Sequence, residues 1–204
     1  MKETFSFFEK KRRALTAIFL VLALLFAVFT RHSWAECSTV DMIFDWGGAL
    51  LIVAGAAGRM WATLYIGGRK NAELVRGGPY SICRNPLYLF SFIAGIGACM
   101  SLGNVVLLGI YAPVFAWYYP RVIKSEEKRL EGIFGDEFRR YRETTPAFFP
   151  KLTGLSLGGT TGVAPGIFMK NLLDASVFLL VIPVSYLIAR LQEGGVIQVL
   201  WRIP

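Results

Sequence analysis

Five stretches of this chain are apolar for long enough to be measured against a bilayer, whose hydrocarbon core takes roughly 20 residues of helix. The first, Ala14 to Thr30, is unbroken and follows Lys10-Lys11-Arg12-Arg13. A basic start, an apolar run and then Ser33-Trp34-Ala35 would also open a cleavable signal peptide. The run is long for that, however, and Arg31, His32 and Trp34 crowd the cleavage point, so the pattern predicts a retained transmembrane helix. The second segment spans about Trp46 to Ile66 and is rich in small residues, with Ala54 and Gly58 one turn apart for close helix packing. The third, about Leu87 to Leu102, carries Ser91, Gly95 and Cys99 on one stripe. Only Gly103 and Asn104 separate it from the fourth, about Val105 to Val122, so those two are expected to form a tight antiparallel hairpin. Tyr111, Trp117, Tyr118 and Tyr119 suit interfacial anchoring.

After Lys151 the chain changes character. Residues 152–171 are rich in Gly, Ser, Thr and Pro and read as a linker. A fifth apolar segment, Leu172 to Ala189, follows, interrupted by Pro183. Residues 191–204 are weakly amphipathic and point to no particular element. The expected architecture is an all-α, polytopic membrane protein with about five transmembrane helices. Residues 1–151 form one domain, 152–171 the linker and 172–204 an added hydrophobic segment.

Composition agrees: 54% of the residues are hydrophobic and the mean hydropathy is +0.50, above the 45–50% apolar content usual for soluble domains. The net charge of +8 brings nucleic acid to mind, but the basic residues flank apolar blocks instead of gathering on one face. That arrangement indicates membrane orientation and attraction to anionic lipid. Seventeen Lys and Arg fall in segments 1–13, 67–86 and 120–151, against one, Arg31, in the 31–45 loop. The positive-inside rule therefore puts the N-terminus and both polar, motif-bearing loops in the cytoplasm. Cys37, Cys83 and Cys99 have no metal-ligand spacing, and no metal site is expected.

Chemistry is concentrated in those loops. Leu74-Val75-Arg76-Gly77-Gly78-Pro79-Tyr80-Ser81-Ile82-Cys83-Arg84-Asn85-Pro86-Leu87-Tyr88 turns at Gly77-Gly78-Pro79 and enters a helix at Pro86, where a missing N–H costs nothing. Two readings stand: a well-made interhelical loop with a snorkelling Arg84, or a helix start whose free N–H groups and Arg84 hold the anionic part of a ligand. After the fourth helix comes Arg121-Val122-Ile123-Lys124-Ser125-Glu126-Glu127-Lys128-Arg129-Leu130. Its adjacent acids are either a solvated face neutralised by local Lys and Arg, or acceptors for ribose hydroxyls and an ammonium group beside a sulfonium. On a continuing helix they point about 100° apart, so one of them is expected to face a given pocket. The third stretch, Phe134 to Tyr141 with Pro146-Ala147-Phe148-Phe149-Pro150, reads as a charged short helix lying on the membrane surface as a lid.

Taken in this order, the clusters resemble the isoprenylcysteine carboxyl methyltransferase and phospholipid methyltransferase superfamily. Its pattern has an L-V-x-x-G-x-Y…R-[HN]-P-x-Y loop, a helical hairpin, an E-E pair, then F-G-x-E-[YF]-x-x-Y and a proline-closed aromatic stretch. Arg59-Met60-Trp61-Ala62 is similar to the R-x-W-A that precedes them, and the likeness spans about residues 46–151. The resemblance implies a cytoplasmic S-adenosylmethionine site built from Leu74 and Val75 (backbone on the adenine side), Tyr80, Arg84, Asn85, Pro86, Leu87, Tyr88, Glu126 and Glu127. It implies catalytic roles for Arg84 and Glu127, with Arg121 leaning toward a lipid-like or prenylated substrate; Gly95-Ile96-Gly97 serves either cofactor approach or, more simply, helix packing. Asn85 stands where the family often has histidine, Ala72 departs likewise, and His32, the lone histidine, is expected across the membrane. A histidine general base is therefore missing from the expected site. That matters little for a carboxylate acceptor and more for an amine, which must lose a proton, for which a Glu is the alternative base. The rival readings are a fold-related nicotinamide-dependent membrane reductase and a non-catalytic scaffold.

Overall fold

The computed structural model describes residues 7–35, 37–69, 71–157 and 165–203; part of the expected linker, 158–164, and the first residues of the basic N-terminus lie outside them. The described chain is helical, with α1 (Phe7–Phe29), α2 (Thr39–Ile66), α3 (Pro79–Ile82), α4 (Pro86–Ser101), α5 (Val105–Phe134), α6 (Asp136–Thr144), α7 (Pro165–Leu179) and α8 (Val181–Glu193). Two three-residue strands, β1 (Thr30–His32) and β2 (Trp201–Ile203), pair in parallel. Among the described residues, Thr39–Ile66, Val105–Phe134 and Ala175–Glu193 are long and apolar enough to cross a membrane, and Ile18–Phe29 and Pro86–Ser101 are shorter apolar helices. Leu22, Leu50, Trp117 and Leu187 on these helices are exposed, as side chains facing lipid would be.

Several boundaries differ from the apolar pattern, each for a local reason. α2 begins seven residues before Trp46 because Ser38 caps it: its Oγ accepts the Asp41 N–H at 3.2 Å, while Asp41 accepts the Cys37 N–H at 2.9 Å. This is a reciprocal capping arrangement. α5 does not stop at Val122 but runs through the paired acids to Phe134, with Pro113 and Pro120 inside it. The fifth apolar segment is two helices. Proline cannot serve the carbonyl four residues before it; for Pro183 that residue is Leu179, where α7 ends. α7 itself starts at Pro165, inside the segment read as linker.

The chain divides into two compact units. One comprises Met1–Leu50, Ile96–Ser125 and Leu180–Pro204. Its core gathers Ala23, Ala27, Cys99 and Leu107 under Phe19, Phe26 and Tyr111. The expected α4–α5 turn is present: Gly103 has φ +59° and buried Asn104 caps Leu107 N–H at 2.9 Å while donating to Thr30 Oγ1 at 3.0 Å. The C-terminal segment closes this unit in a way its weak amphipathicity did not announce. Gln192 Nε2 donates to the carbonyls of Ala27, Val28 and Thr30 at 3.2, 2.9 and 3.2 Å, satisfying acceptors that a helix end leaves open. β2 then pairs Trp201, Arg202 and Ile203 with Thr30, Arg31 and His32.

The second unit comprises Leu51–Gly95 and Glu126–Leu179. Here α2 and α4 approach at glycine, as the small-residue stripe requires, although the stripe is Gly55 and Gly58, with Ala54 exposed. A Cβ on Gly58 would overlap the Phe90 ring, and one on Gly55 would come within 2.7 Å of Ala94 N and Phe90 O. Ile82, Cys83 and Leu89 form the core beside Trp61, Ile93 and Phe148.

Candidate functional site

The second unit holds the motif loops, and its geometry starts at Gly78. This residue takes φ +59°, ψ −133°, a region open in practice to glycine alone, and it packs against the Tyr65 ring. Pro79 opens α3, and the Ser81 hydroxyl donates to Gly78 O at 2.7 Å. The backbone then extends through Cys83 into Arg84, Asn85 and the start of α4.

α4's first turn meets both acids of α5. Arg84 Nε donates to Glu127 Oε1 at 2.9 Å, with the two side chains only 9% and 14% exposed. The Arg84 guanidinium is held from behind by the carbonyls of Arg142, at 2.9 Å, and Thr145. Asn85 Nδ2 donates to Glu127 Oε1 at 3.3 Å and to Ala147 O at 3.0 Å. One helical turn on, the Tyr88 hydroxyl donates to Glu126 Oε2 at 2.8 Å. The expectation that only one acid faces the loop is therefore corrected: α4's first turn is wide enough to span the 100° between them. Arg129, on the same side of α5, reaches Glu126 Oε1 at 3.5 Å and Asn71 Oδ1 at 2.8 Å. Its side chain is 15% exposed.

α6 closes over α3. Phe138 and Tyr141 are buried, and the Tyr141 hydroxyl donates to Tyr80 O at 2.6 Å. The apolar face of α6 is thus turned into the protein. Leu74 and Val75 are half-buried in a loop pinned at Asn71 by Arg129 and at Arg76 by Glu137, 2.7 Å away. Arg59 donates to Leu87 O at 3.4 Å and to the Ser91 hydroxyl, and lies 5.4 Å from the Phe178 ring centroid. The added C-terminal helix thereby touches the residue that steadies α4's start.

The loop's other titratable groups hold their protons. Burial pushes the Cys83 thiol up to about 11, and it donates to Phe148 O at 3.1 Å. Burial likewise raises Tyr80, with Glu126 nearby adding to the effect, and Tyr141. The Tyr80 hydroxyl is buried and without a hydrogen-bond partner among the described residues, an orphan donor close to Glu126. Buried hydroxyls are normally partnered, so a polar ligand group here would complete the site. Acidic acceptors, an orphan hydroxyl and a neutral amide suit a ligand carrying both cationic and hydroxyl groups, which S-adenosylmethionine does.

Arg121 belongs to the other unit. It is exposed, lies over the Trp117 ring at 4.2 Å and donates to that residue's carbonyl. Residues the sequence did not single out are Asn71, Arg129 and the carbonyls of Arg142, Thr145 and Ala147. Arg129 alone had a signal, its i,i+3 spacing from Glu126.

Comparison with known proteins bears on the family. The phospholipid methyltransferase family pattern matches residues 44–137, from α2 through the paired acids to the start of α6. A nickel-cobalt-cadmium resistance protein of Alcaligenes xylosoxydans xylosoxydans is 39% identical over 160 residues, covering 78% of this chain and 75% of that protein. A cobalt-zinc-cadmium resistance protein of Cupriavidus metallidurans is 36% identical over 161 residues, 79% and 72% of the two chains. The protein-S-isoprenylcysteine O-methyltransferase of Schizosaccharomyces pombe is 35% identical over 81 residues, 40% of this chain and 34% of that enzyme. No solved structure matches the chain. On these similarities and its apolar helices, the chain belongs to the isoprenylcysteine carboxyl methyltransferase and phospholipid methyltransferase superfamily of integral membrane proteins.

Proposed function

We propose that the protein is an S-adenosylmethionine-dependent methyltransferase acting on a lipid-like or prenylated acceptor at the cytoplasmic membrane face. The observation that carries this reading is the meeting of Glu126 and Glu127 with Tyr80, Arg84, Asn85 and Tyr88 in one cluster. When bound, S-adenosylmethionine supplies a methyl group made electrophilic by a sulfonium. The residues that would hold it are Glu126 and Glu127, as acceptors for its ammonium and ribose hydroxyls, with Tyr80, Asn85, Pro86, Leu87 and Tyr88 around them and the Leu74-Val75 backbone on the adenine side. Arg84 aims Glu127 through its 2.9 Å ion pair. α6 and the backbone behind Arg84 exclude water, and methyl transfer by displacement asks chiefly for alignment in a dry site.

The proton inventory supports a carboxylate acceptor. Cys83, Tyr80 and Tyr141 retain their protons at neutral pH, and the sole histidine, His32, lies in the other unit. A carboxylate acceptor is already a nucleophile and needs no base, so O-methylation of a carboxylate is favoured over an amine. The Lys and Arg distribution supports the cytoplasmic placement. The names of the two metal-resistance relatives support a second reading, in which the same methyl transfer serves metal tolerance; a deletion strain that grows on cobalt, nickel and cadmium as the parent does removes it.

The test is ligand-dependent melting of the detergent-purified chain. S-adenosylhomocysteine should raise the melting temperature, because a ligand bound only by the native state stabilises it by mass action. A shift with NADPH instead would indicate the reductase reading, and no shift with either, in a folded sample, the scaffold.

A further inference from the structure

The segment between α6 and α7 carries large apolar side chains that no described residue covers. Phe149 is 81% exposed, Leu152 73%, Leu155 50% and Leu157 67%. They cannot turn inward, because the backbone that bears them is fastened on its other side to the motif loop. Lys151 N–H donates to Ile82 O at 3.0 Å, Gly78 N–H to Ser156 O at 2.7 Å, and Ser156 N–H to Ser81 Oγ at 3.0 Å. Phe148 and Phe149 divide the two directions. Phe148 packs on the Ile82–Cys83–Leu89 core, 5.9 Å from Phe92, whereas the Phe149 ring meets it edge-on at 5.5 Å and stays exposed.

α6 cannot supply the cover, since its apolar residues are buried and its exposed side bears Arg139, Arg140 and Arg142. Four exposed hydrophobes within nine residues are too concentrated for ordinary surface. Chain connectivity names the occupant. The segment lies, with α6, on the stretch that links α5 to Ala175–Glu193, both long and apolar enough to cross the membrane, with no third crossing described between them. It is therefore tethered at one membrane face by spans on both sides, with Lys151 among its apolar residues.

We propose that this strap is a membrane-docking edge: Phe149, Leu152, Leu155 and Leu157 enter the headgroup–acyl boundary of the bilayer while Lys151 meets anionic headgroups. Because the same backbone holds Gly78, Ser81 and Ile82, lipid contact steadies α3 and the loop that carries Arg84. The inference stands apart from the chemistry assigned to the site, and holds for a reductase or a scaffold equally.

The experiment places nitroxide labels by Phe149→Cys, Leu152→Cys and Leu157→Cys, separately, in the full chain carrying Cys37→Ser, reconstituted into phosphatidylcholine–phosphatidylglycerol vesicles. Each position is already exposed, so its replacement removes no buried core residue. Collision rates with oxygen, which concentrates in lipid, and with a water-soluble nickel chelate are compared. At least two of the three labels should favour oxygen, as a Leu187→Cys reference on α8 does, while Arg140→Cys on α6 favours nickel. Lys151→Glu should shift the strap labels toward nickel in these vesicles but not in pure phosphatidylcholine. Two or more strap labels behaving like Arg140→Cys, which would leave the patch to a protein partner or to solvent, overturns the proposal, as does a Lys151→Glu shift that ignores anionic lipid.

Discussion

Glu127 and Arg84 illustrate how one pair can serve both stability and binding. With each side chain about nine-tenths buried, removing one charge strands the other, at a cost of up to about 3–5 kcal/mol in a fully buried pair. Glu127→Gln should therefore both lower the melting temperature and weaken S-adenosylmethionine binding roughly ten- to a hundredfold, since charge-assisted hydrogen bonds contribute about 1.5–3 kcal/mol. The two effects separate in the double variant Arg84→Gln/Glu127→Gln, which should regain melting temperature without regaining affinity; calorimetry and thermal unfolding on the same samples read both. If Glu126→Gln and Glu127→Gln both bind as the parent does, the site assignment fails while the family stands. The residues just after the pair divide sharply. Lys128 is exposed, and Lys128→Gln should change little. Arg129 ties Glu126 to Asn71, so Arg129→Gln should weaken cofactor binding severalfold, and Asn71→Ala should reproduce part of that loss. The paired acids were legible as residue types at a known spacing. That both would be engaged was not, because helical angle alone says nothing of how wide a surface the partner presents, and Arg129 looked like one more member of a basic run.

At the scale of elements, legibility tracked how local the cause was. The Gly103-Asn104 hairpin and the Pro86 start of α4 follow from a few adjacent residues and appeared as expected. The early start of α2 and the split at Leu179 are also local, written in Ser38 and Pro183, yet apolar counting passes over them because caps and proline geometry carry no hydropathy. The β1–β2 pair was invisible: two three-residue strands at opposite ends of the chain leave no periodicity to detect. Glycines sort by the same reasoning. Gly78 has φ +59° and no room beside Tyr65, so Gly78→Ala should destabilise by about 1–3 kcal/mol and loosen the strap bonded to it. Gly132 lies in α5 with open space around its Cβ position, and Gly132→Ala should stabilise by roughly 0.5–1 kcal/mol. Thermal unfolding of the two variants should shift in opposite directions; parallel shifts would mean that the Gly78 backbone is not the fixed point of the loop.

For the whole molecule, the Lys and Arg distribution predicts which side of the membrane holds the cluster. Seventeen of the Lys and Arg counted in the polar segments lie in three of them and one in the 31–45 loop, and short loops rich in these residues stay inside. With α2, the shorter apolar helix α4 and α5 counted as three crossings, Cys37 and α6 are expected on opposite faces. The chain carries a convenient internal control. Cys37 is exposed, whereas Cys83 and Cys99 are buried, and the Cys83 thiol, raised to about 11 by burial, has almost no thiolate with which to react near neutral pH. A membrane-impermeant maleimide applied to intact cells should therefore modify Cys37 and nothing else in the parent chain. Arg140→Cys, on the exposed side of α6, should stay unmodified until the cells are broken and then react fully. Labelling of Arg140→Cys from outside, with Cys37 protected, would invert the topology. It would also remove the cytoplasmic supply of S-adenosylmethionine from the site, leaving the superfamily membership intact and the proposed activity without its methyl donor.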